Sequence, residues 1–191
     1  MRWVPIPDGQ SGNVRVVHRP LGIAVGDRVV WTHEPVQALE ELRQGQWICW
    51  MSTTIDEIIL HDRALALARG HVLVGGLGLG YFLSEALARA GVRRATVVES
   101  NADVVRLVWP HLPHDRARLV QADVFEFFQR APTARYDLVY VDIWARVTPR
   151  NLPEISHLRA LAEPHLAPGG QIWCWGQELL ERPAAGPSPD R

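Results

Sequence analysis

The stretch His71–Tyr81, reading HVLVGGLGLGY, constrains this chain more than any other. Val72–Val74 is an uncharged aliphatic run, which predicts a parallel strand buried on both faces. Glycines follow as Gly76-x-Gly78-x-Gly80, and Phe82–Ala90 then carries apolar groups at helical spacing. Strand, glycine turn and helix together present backbone N–H groups at a helix N-terminus, where a ligand can sit. A side chain at any of the three glycines would block the turn or the ligand's approach. The dinucleotide fingerprint G-x-G-x-x-G is completed in neither register, because Tyr81 and Leu83 occupy the third-glycine positions. No Gly-Lys-Ser/Thr follows, so a phosphate-gripping P-loop is excluded.

From His71 onward, strand and helix patterns alternate. Strand Val72–Gly75 leads to helix Phe82–Ala90, and strand Ala95–Glu99 to a helix around Asp103–Val108 closed by Pro110. Strand Arg118–Gln121 leads to a short helix around Val124–Arg130; strand Tyr136–Val141 to a long loop and helix Pro153–His165; strand Gln171–Trp175 comes last. Five strands with intervening helices predict an α/β fold with a doubly wound, mostly parallel sheet.

Residues 1–50 read differently, as a small β-rich N-terminal extension. Asn13–Val17, Ile23–Thr32 and Gln46–Met51 are short β-rich runs broken by Gly, Pro and Gly-Asp signals, and Val36–Arg43 reads as one or two helical turns between them. Ser52–Ala68 reads as one helix, with Thr54-x-x-Glu57 as a capping box and Ile55, Ile58, Ile59, Ala66 and Leu67 as its apolar face. The α/β domain is expected over 51–181, and the tail 182–191, RPAAGPSPDR, is too polar to order itself.

With 191 residues the chain holds one α/β domain and a small appendage. A net charge of −1 gives no global basic field for nucleic acid or an anionic membrane. Cys49 and Cys174 sit in apolar, Trp-flanked settings without a C-x-x-C partner and read as reduced core thiols. His111-Leu-Pro-His114 lacks further ligands, so no metal site is expected. The start has no apolar signal core and no stretch approaches a membrane span, which points to a cytoplasmic protein.

Ligands of such sheets bind beyond the carboxyl ends of the strands, so the residues there matter most. Glu99, Asp123 and Asp142 stand at the ends of the three strands that follow the glycine turn. A nucleoside would use them differently. Glu99 offers two acceptor oxygens to a pair of ribose hydroxyls. Asp123 accepts from an adenine amine, with Val124 against the ring, and Asp142 meets a sulfonium-side amino group or a substrate amine. The competing reading of each is local: Asp and Glu favour helix N-termini, and Asp123 before Val124-Phe125-Glu126 fits a cap equally well.

The segments VLVGGLGLG, ATVVES, VQADVFEFF, YDLVYVDIW and LAPGGQIWCW, in this order, resemble the successive motifs of class I S-adenosylmethionine-dependent methyltransferases. Within that Rossmann-like fold the chain is more similar to the spermidine synthase-like branch. Val74-Gly75-Gly76 has the aliphatic residue and Gly-Gly run of that branch, where typical methyltransferases carry an acid at the Val74 position. Met51-Ser-Thr-Thr-Ile-Asp-Glu57 with His61 also resembles that branch, and the likeness covers roughly residues 46–176.

Two departures stand out. The Asp-x-x-Asp pair with which spermidine synthases bind and deprotonate the polyamine is reduced to Asp142 with Ala145 at the partner position. Only 16 residues follow Trp175, too few for the helix and antiparallel hairpin that complete the usual sheet. The expectation is a C-terminally shortened sheet, with its edge left short, covered by the N-terminal strands or covered in a homodimer. The Asp/Asn-Pro-Pro-Tyr/Phe loop of base-methylating enzymes is not matched by Asp142-Ile-Trp144, so a nucleic-acid acceptor is not expected.

The resemblance implies a methyltransferase using S-adenosylmethionine on a small acceptor. Gly76, Gly78, Gly80, Glu99, Asp123, Val124 and Asp142 would bind the cofactor, Trp144 and His61 would line the acceptor pocket, and Asp142 would be the catalytic candidate. Two alternatives stay open: an aminopropyltransferase using decarboxylated S-adenosylmethionine, and a non-catalytic fold member that binds a nucleoside or a protein partner.

Overall fold

The computed structural model describes residues 4–25, 27–113, 115–130, 134–146, 148–177 and 180. His114 and the tail 182–191 lie outside these.

The α/β half follows the expected alternation. Its strands are β7 (Gly70–Gly75), β8 (Val92–Glu99), β9 (Ala117–Gln121), β10 (Tyr136–Val141) and β11 (Leu166–Cys174). They form a five-stranded sheet in the order β11-β10-β7-β8-β9, with every neighbour parallel. Helices α3 (Tyr81–Ala88), α4 (Ala102–Val108), α5 (Val124–Arg130) and α6 (Leu152–Ala162) connect them.

Side-chain alternation along a strand divides the core into two layers. Val72 and Val74 of β7 join Val97, Leu138 and Tyr140 in a cluster with Phe82 and Leu83 of α3 and Val104 of α4. Leu73 points the other way, with Val98, Val139 and Val141, into a cluster holding Phe128 of α5 and Ile155 and Leu158 of α6. Every residue of β7 is buried, as a central strand between two helical layers must be. The Pro168-Gly169-Gly170 turn lies inside β11, where the register slips between the Tyr136–Leu166 and Leu138–Gln171 pairs.

The N-terminal region holds β1 (Gly9–Ser11), β2 (Val14–Arg19), β3 (Gly22–Val25), β4 (Arg28–Trp31), β5 (Val36–Arg43) and β6 (Gln46–Ser52). An antiparallel sheet runs β1-β2-β5-β6, and β3-β4 is a separate hairpin. Val36–Arg43 is thus a strand, not the helical turns its Ala, Leu and Glu content suggests. Pairing on both sides overrides that propensity. Buried Glu40 on β5 takes ion pairs from Arg15 and Arg19 of β2, and the Gln37 side chain accepts the Ile6 N–H at 2.9 Å. Gln44 and Gly45, both at positive φ, make the two-residue turn into β6.

The single helix expected over Ser52–Ala68 is two short ones, α1 (Ile55–Ile59) and α2 (Asp62–Leu67). Thr54 makes no side-chain cap bond; its hydroxyl lies 3.1 Å from that of Ser52. The break splits the expected apolar face. Ile58 is buried, Ile55 and Ile59 are more than half exposed, and Ala64, Leu65 and partly buried Leu67 pack on the core while Ala66 is exposed.

The extension packs on the face of the α/β unit rather than prolonging its sheet. Ser11 donates to Asp103 of α4 at 2.8 Å, and Arg106 donates to Ser11 at 2.7 Å. None of the N-terminal strands pairs with β9 or β11. Cys174 is a buried thiol as expected, whereas Cys49 lies on the exposed side of β6. No described helix is long and apolar enough to cross a membrane.

Candidate functional site

The strand order reverses between β7 and β10, and the turn after β7 opens at that switch point, where a doubly wound sheet leaves a crevice. A cavity of about 380 Å³ lies there. Gly76, Gly78, Glu99, Asp123, Val124, Asp142 and Trp144 all line it, so strands and loops far apart in the chain bring these expected residues together.

The glycines do different work. Gly76 has φ 91°, and a Cβ there would lie 2.1 Å from the Asp142 carbonyl oxygen, so the glycine lets the β10 loop close over the turn. Gly78 has φ 50°, and its Cβ would meet Met51 Sδ at 2.5 Å. Gly80 does not line the cavity. It starts α3 in the left-handed conformation, and its α-carbon faces Leu112.

Glu99 is 9% exposed, and its two oxygens accept the Leu77 N–H at 2.8 Å and the Asn101 N–H at 2.7 Å. Burial raises its pKa, and hydrogen bonds from the Leu77, Asn101 and Ser100 amides oppose the rise. Asp123 caps α5, with Oδ1 accepting from Phe125 N at 2.8 Å and Glu126 N at 3.1 Å. The capping geometry and a place on the cavity wall coexist in that one side chain.

Asp142 sits half-buried at the end of β10 and accepts from the Tyr140 hydroxyl at 3.3 Å. Burial pushes its carboxyl up to about 8; the charge of Glu57 adds to the rise and the Tyr140 hydrogen bond opposes it. His61 lies behind Tyr140, 1% exposed, with Nδ1 3.5 Å from the Tyr140 hydroxyl and its ring against Tyr81. It does not line the cavity, and burial lowers its pKa to about 4. Trp144 does form a wall, its indole N–H donating to Glu154 at 2.6 Å.

The second wall comes from the N-terminal region, which supplies Val14, Leu39, Trp50, Met51 and Glu57. Met51 Sδ accepts the Leu79 N–H at 3.2 Å, pinning the glycine turn. Trp50 Nε1 is buried without a hydrogen-bond partner among the described residues, and Glu57 is pushed up to about 7 by burial and by neighbouring Asp56. Sequence reading named none of these as site residues. The signal available was the adjacency of Met51 and Glu57 to His61 in the motif that precedes the nucleotide turn. Among the described residues no cluster of potential metal ligands occurs.

Solved structures share this architecture. The spermidine synthase of Thermotoga maritima superposes on 88% of the chain and 56% of its own length, with a TM-score of 0.55 and 18% identity. A spermidine synthase in complex with the transition-state analogue AdoDATO covers 88% of the chain and 57% of its own, with a TM-score of 0.56 and 17% identity. The chain shares the Rossmann-like α/β fold of these spermidine synthases. No protein-family model matches the chain. The chain spans a little over half the length of these spermidine synthases. In this fold the cavity occupies the switch point, and the N-terminal sheet forms one of its walls.

Proposed function

We propose that the chain is a transferase that binds S-adenosylmethionine in this cavity and methylates a small acceptor. The observation that carries the reading is the convergence of the Gly76–Gly78 turn, Glu99 and Asp123 on one cavity at the switch point. The Glu99 carboxylate keeps acceptor capacity beyond its backbone bonds, which suits a ribose hydroxyl. Val124 and Val98 offer apolar surface to a base, and Asp123 offers an acceptor to its amine. Bound there, the cofactor supplies an electrophilic carbon on a sulfonium. The chain's own part is to position it, keep water out and place Asp142 near the acceptor.

One observation favours a second reading, transfer of an aminopropyl group from decarboxylated S-adenosylmethionine. The cavity is lined by Glu40, Glu41, Glu57, Glu99, Asp123, Asp142 and Glu154 and, among the described residues, by no Lys, Arg or His. A ligand that has lost its carboxylate carries more net positive charge and suits such a lining better. Incubation with each cofactor and a panel of small amines and hydroxyl compounds separates the readings. Release of S-adenosylhomocysteine supports the first; release of methylthioadenosine supports the second. Neither product with any acceptor contradicts both.

A further inference from the structure

Ala145 leaves the β10 loop with Asp142 as its only carboxylate in the cavity. The other acids of the lining are mostly committed. Glu99 holds two backbone amides, Asp123 caps α5, Glu154 holds Trp144, and Glu40 holds Arg15 and Arg19. Glu57 differs: no hydrogen-bond or ion-pair partner for it is found among the described residues. It comes from α1, on the N-terminal wall, and its charge is felt by Asp142 in the same cavity.

We propose that Glu57 is the acceptor-side base of this site, binding with Asp142 an acceptor that arrives protonated on nitrogen and taking its proton. The inference rests on the sulfonium-transfer reading above. The step balances as follows. The acceptor's ammonium gives one proton to the Glu57 carboxylate, and the freed nitrogen lone pair forms the new N–C bond. The C–S bond breaks with its electron pair left on sulfur, which becomes a neutral thioether. The product amine carries the positive charge.

Both carboxyls are held near neutrality. Burial raises Glu57 to about 7 and Asp142 to about 8, and the Glu57 charge adds to the rise at Asp142. A base poised near neutrality is the more effective one. The groups facing Glu57 are Asp56 on its own helix, Cys49 of β6, and Tyr140 and Asp142 of β10 and its loop, none of them cationic at neutral pH.

The test uses 1,4-diaminobutane as the cationic probe, titrated into the full chain saturated with 5′-methylthioadenosine, which has no amino-acid tail to reach Glu57. The native protein is expected to bind the diamine more tightly as pH rises from 6 to 8. Glu57→Gln is expected to bind it at least tenfold more weakly at pH 7.5 and to keep only the smaller pH dependence that Asp142 gives, with methylthioadenosine affinity unchanged. Asp142→Asn is expected to keep the step near pH 7. Equal diamine affinity in native and E57Q protein, no diamine binding to the native protein, or a step as large in E57Q as in the native protein that vanishes in D142N would each overturn the proposal. Failure of methylthioadenosine to bind at all overturns the transfer reading itself, a separate and recognisable outcome.

Discussion

The Glu99 carboxylate accepts the backbone N–H of Leu77 at 2.8 Å, so the end of β8 holds the glycine turn that follows β7. The turn and its expected ligand contact are therefore one structure. Glu99→Gln keeps one acceptor oxygen and turns an N–H donor toward a backbone N–H. The expected cost is about 1–2 kcal/mol of stability, measured by urea unfolding, since a buried donor loses its partner. Nucleoside affinity is expected to fall more than tenfold by calorimetry. Full affinity in a destabilised E99Q protein would separate the two roles and contradict the ribose assignment.

Gly76 and Gly78 differ in what a side chain would strike. At Gly76 the obstacle is the Asp142 backbone, which cannot swing aside; at Gly78 it is the end of the flexible Met51 side chain. Gly76→Ala is expected to cost more than about 3 kcal/mol and Gly78→Ala about 1–2 kcal/mol, in proportion to clash and positive-φ strain. Met51→Ala is expected to relieve part of the Gly78→Ala penalty and none of the Gly76→Ala penalty. Chemical denaturation of the three single and two double variants checks the order.

Asp123 allows cap and ligand roles to be told apart. Ser at this position also caps a helix, whereas Ala does not. Asp123→Ala is expected to lose about 1 kcal/mol and Asp123→Ser only a few tenths, while both lose nucleoside affinity. If D123S binds the nucleoside as the native chain does, Asp123 is a cap alone.

Glu57 and Asp142 make stability depend on pH. Their ordinary values of 4.5 and 3.8 rise to about 7 and about 8 in the folded chain. Between about pH 4 and pH 8 the folded state thus holds more protons than the unfolded one. Their contribution is fully present at the acid end of that window and is lost as pH rises. His61 and His71, lowered to about 4 by burial, work in the opposite sense, losing their contribution as pH falls below 6.5. The difference between native and Glu57→Gln protein removes the histidine part. E57Q is expected to match the native chain at pH 4 and to exceed it at pH 8.5 by on the order of 1 kcal/mol, a shift of a few degrees in thermal midpoint. A stability difference that does not change with pH contradicts the raised Glu57 value.

The parallel sheet was legible because its central strands β7 and β10 are short, mostly apolar runs, and α5 and β10 begin and end where periodicity places them. The N-terminal region was harder to read. Val36–Arg43 carries helix formers, and what makes it a strand is non-local: Arg15 and Arg19 neutralise Glu40 from the neighbouring strand. The local clue was the Gln44–Gly45 turn. Of the expected site residues, those at strand ends reach the cavity, because topology alone puts them there. Gly80 and His61 do not, and the reason is packing: Leu112 takes the space beside one, and Tyr140 stands in front of the other. Glu57 belongs to the site because the N-terminal wall folds over the switch point, which spacing in a sequence does not encode.

The central claim is that the cavity is a nucleoside-sulfonium site. Calorimetric titration of the purified chain with S-adenosylhomocysteine, with NAD as control, tests it most directly. The account predicts binding of S-adenosylhomocysteine at micromolar concentration and none of NAD, lost in the Glu99→Gln protein. Binding of neither, or of NAD alone, would contradict it, and the glycine turn would then be architecture without a cofactor.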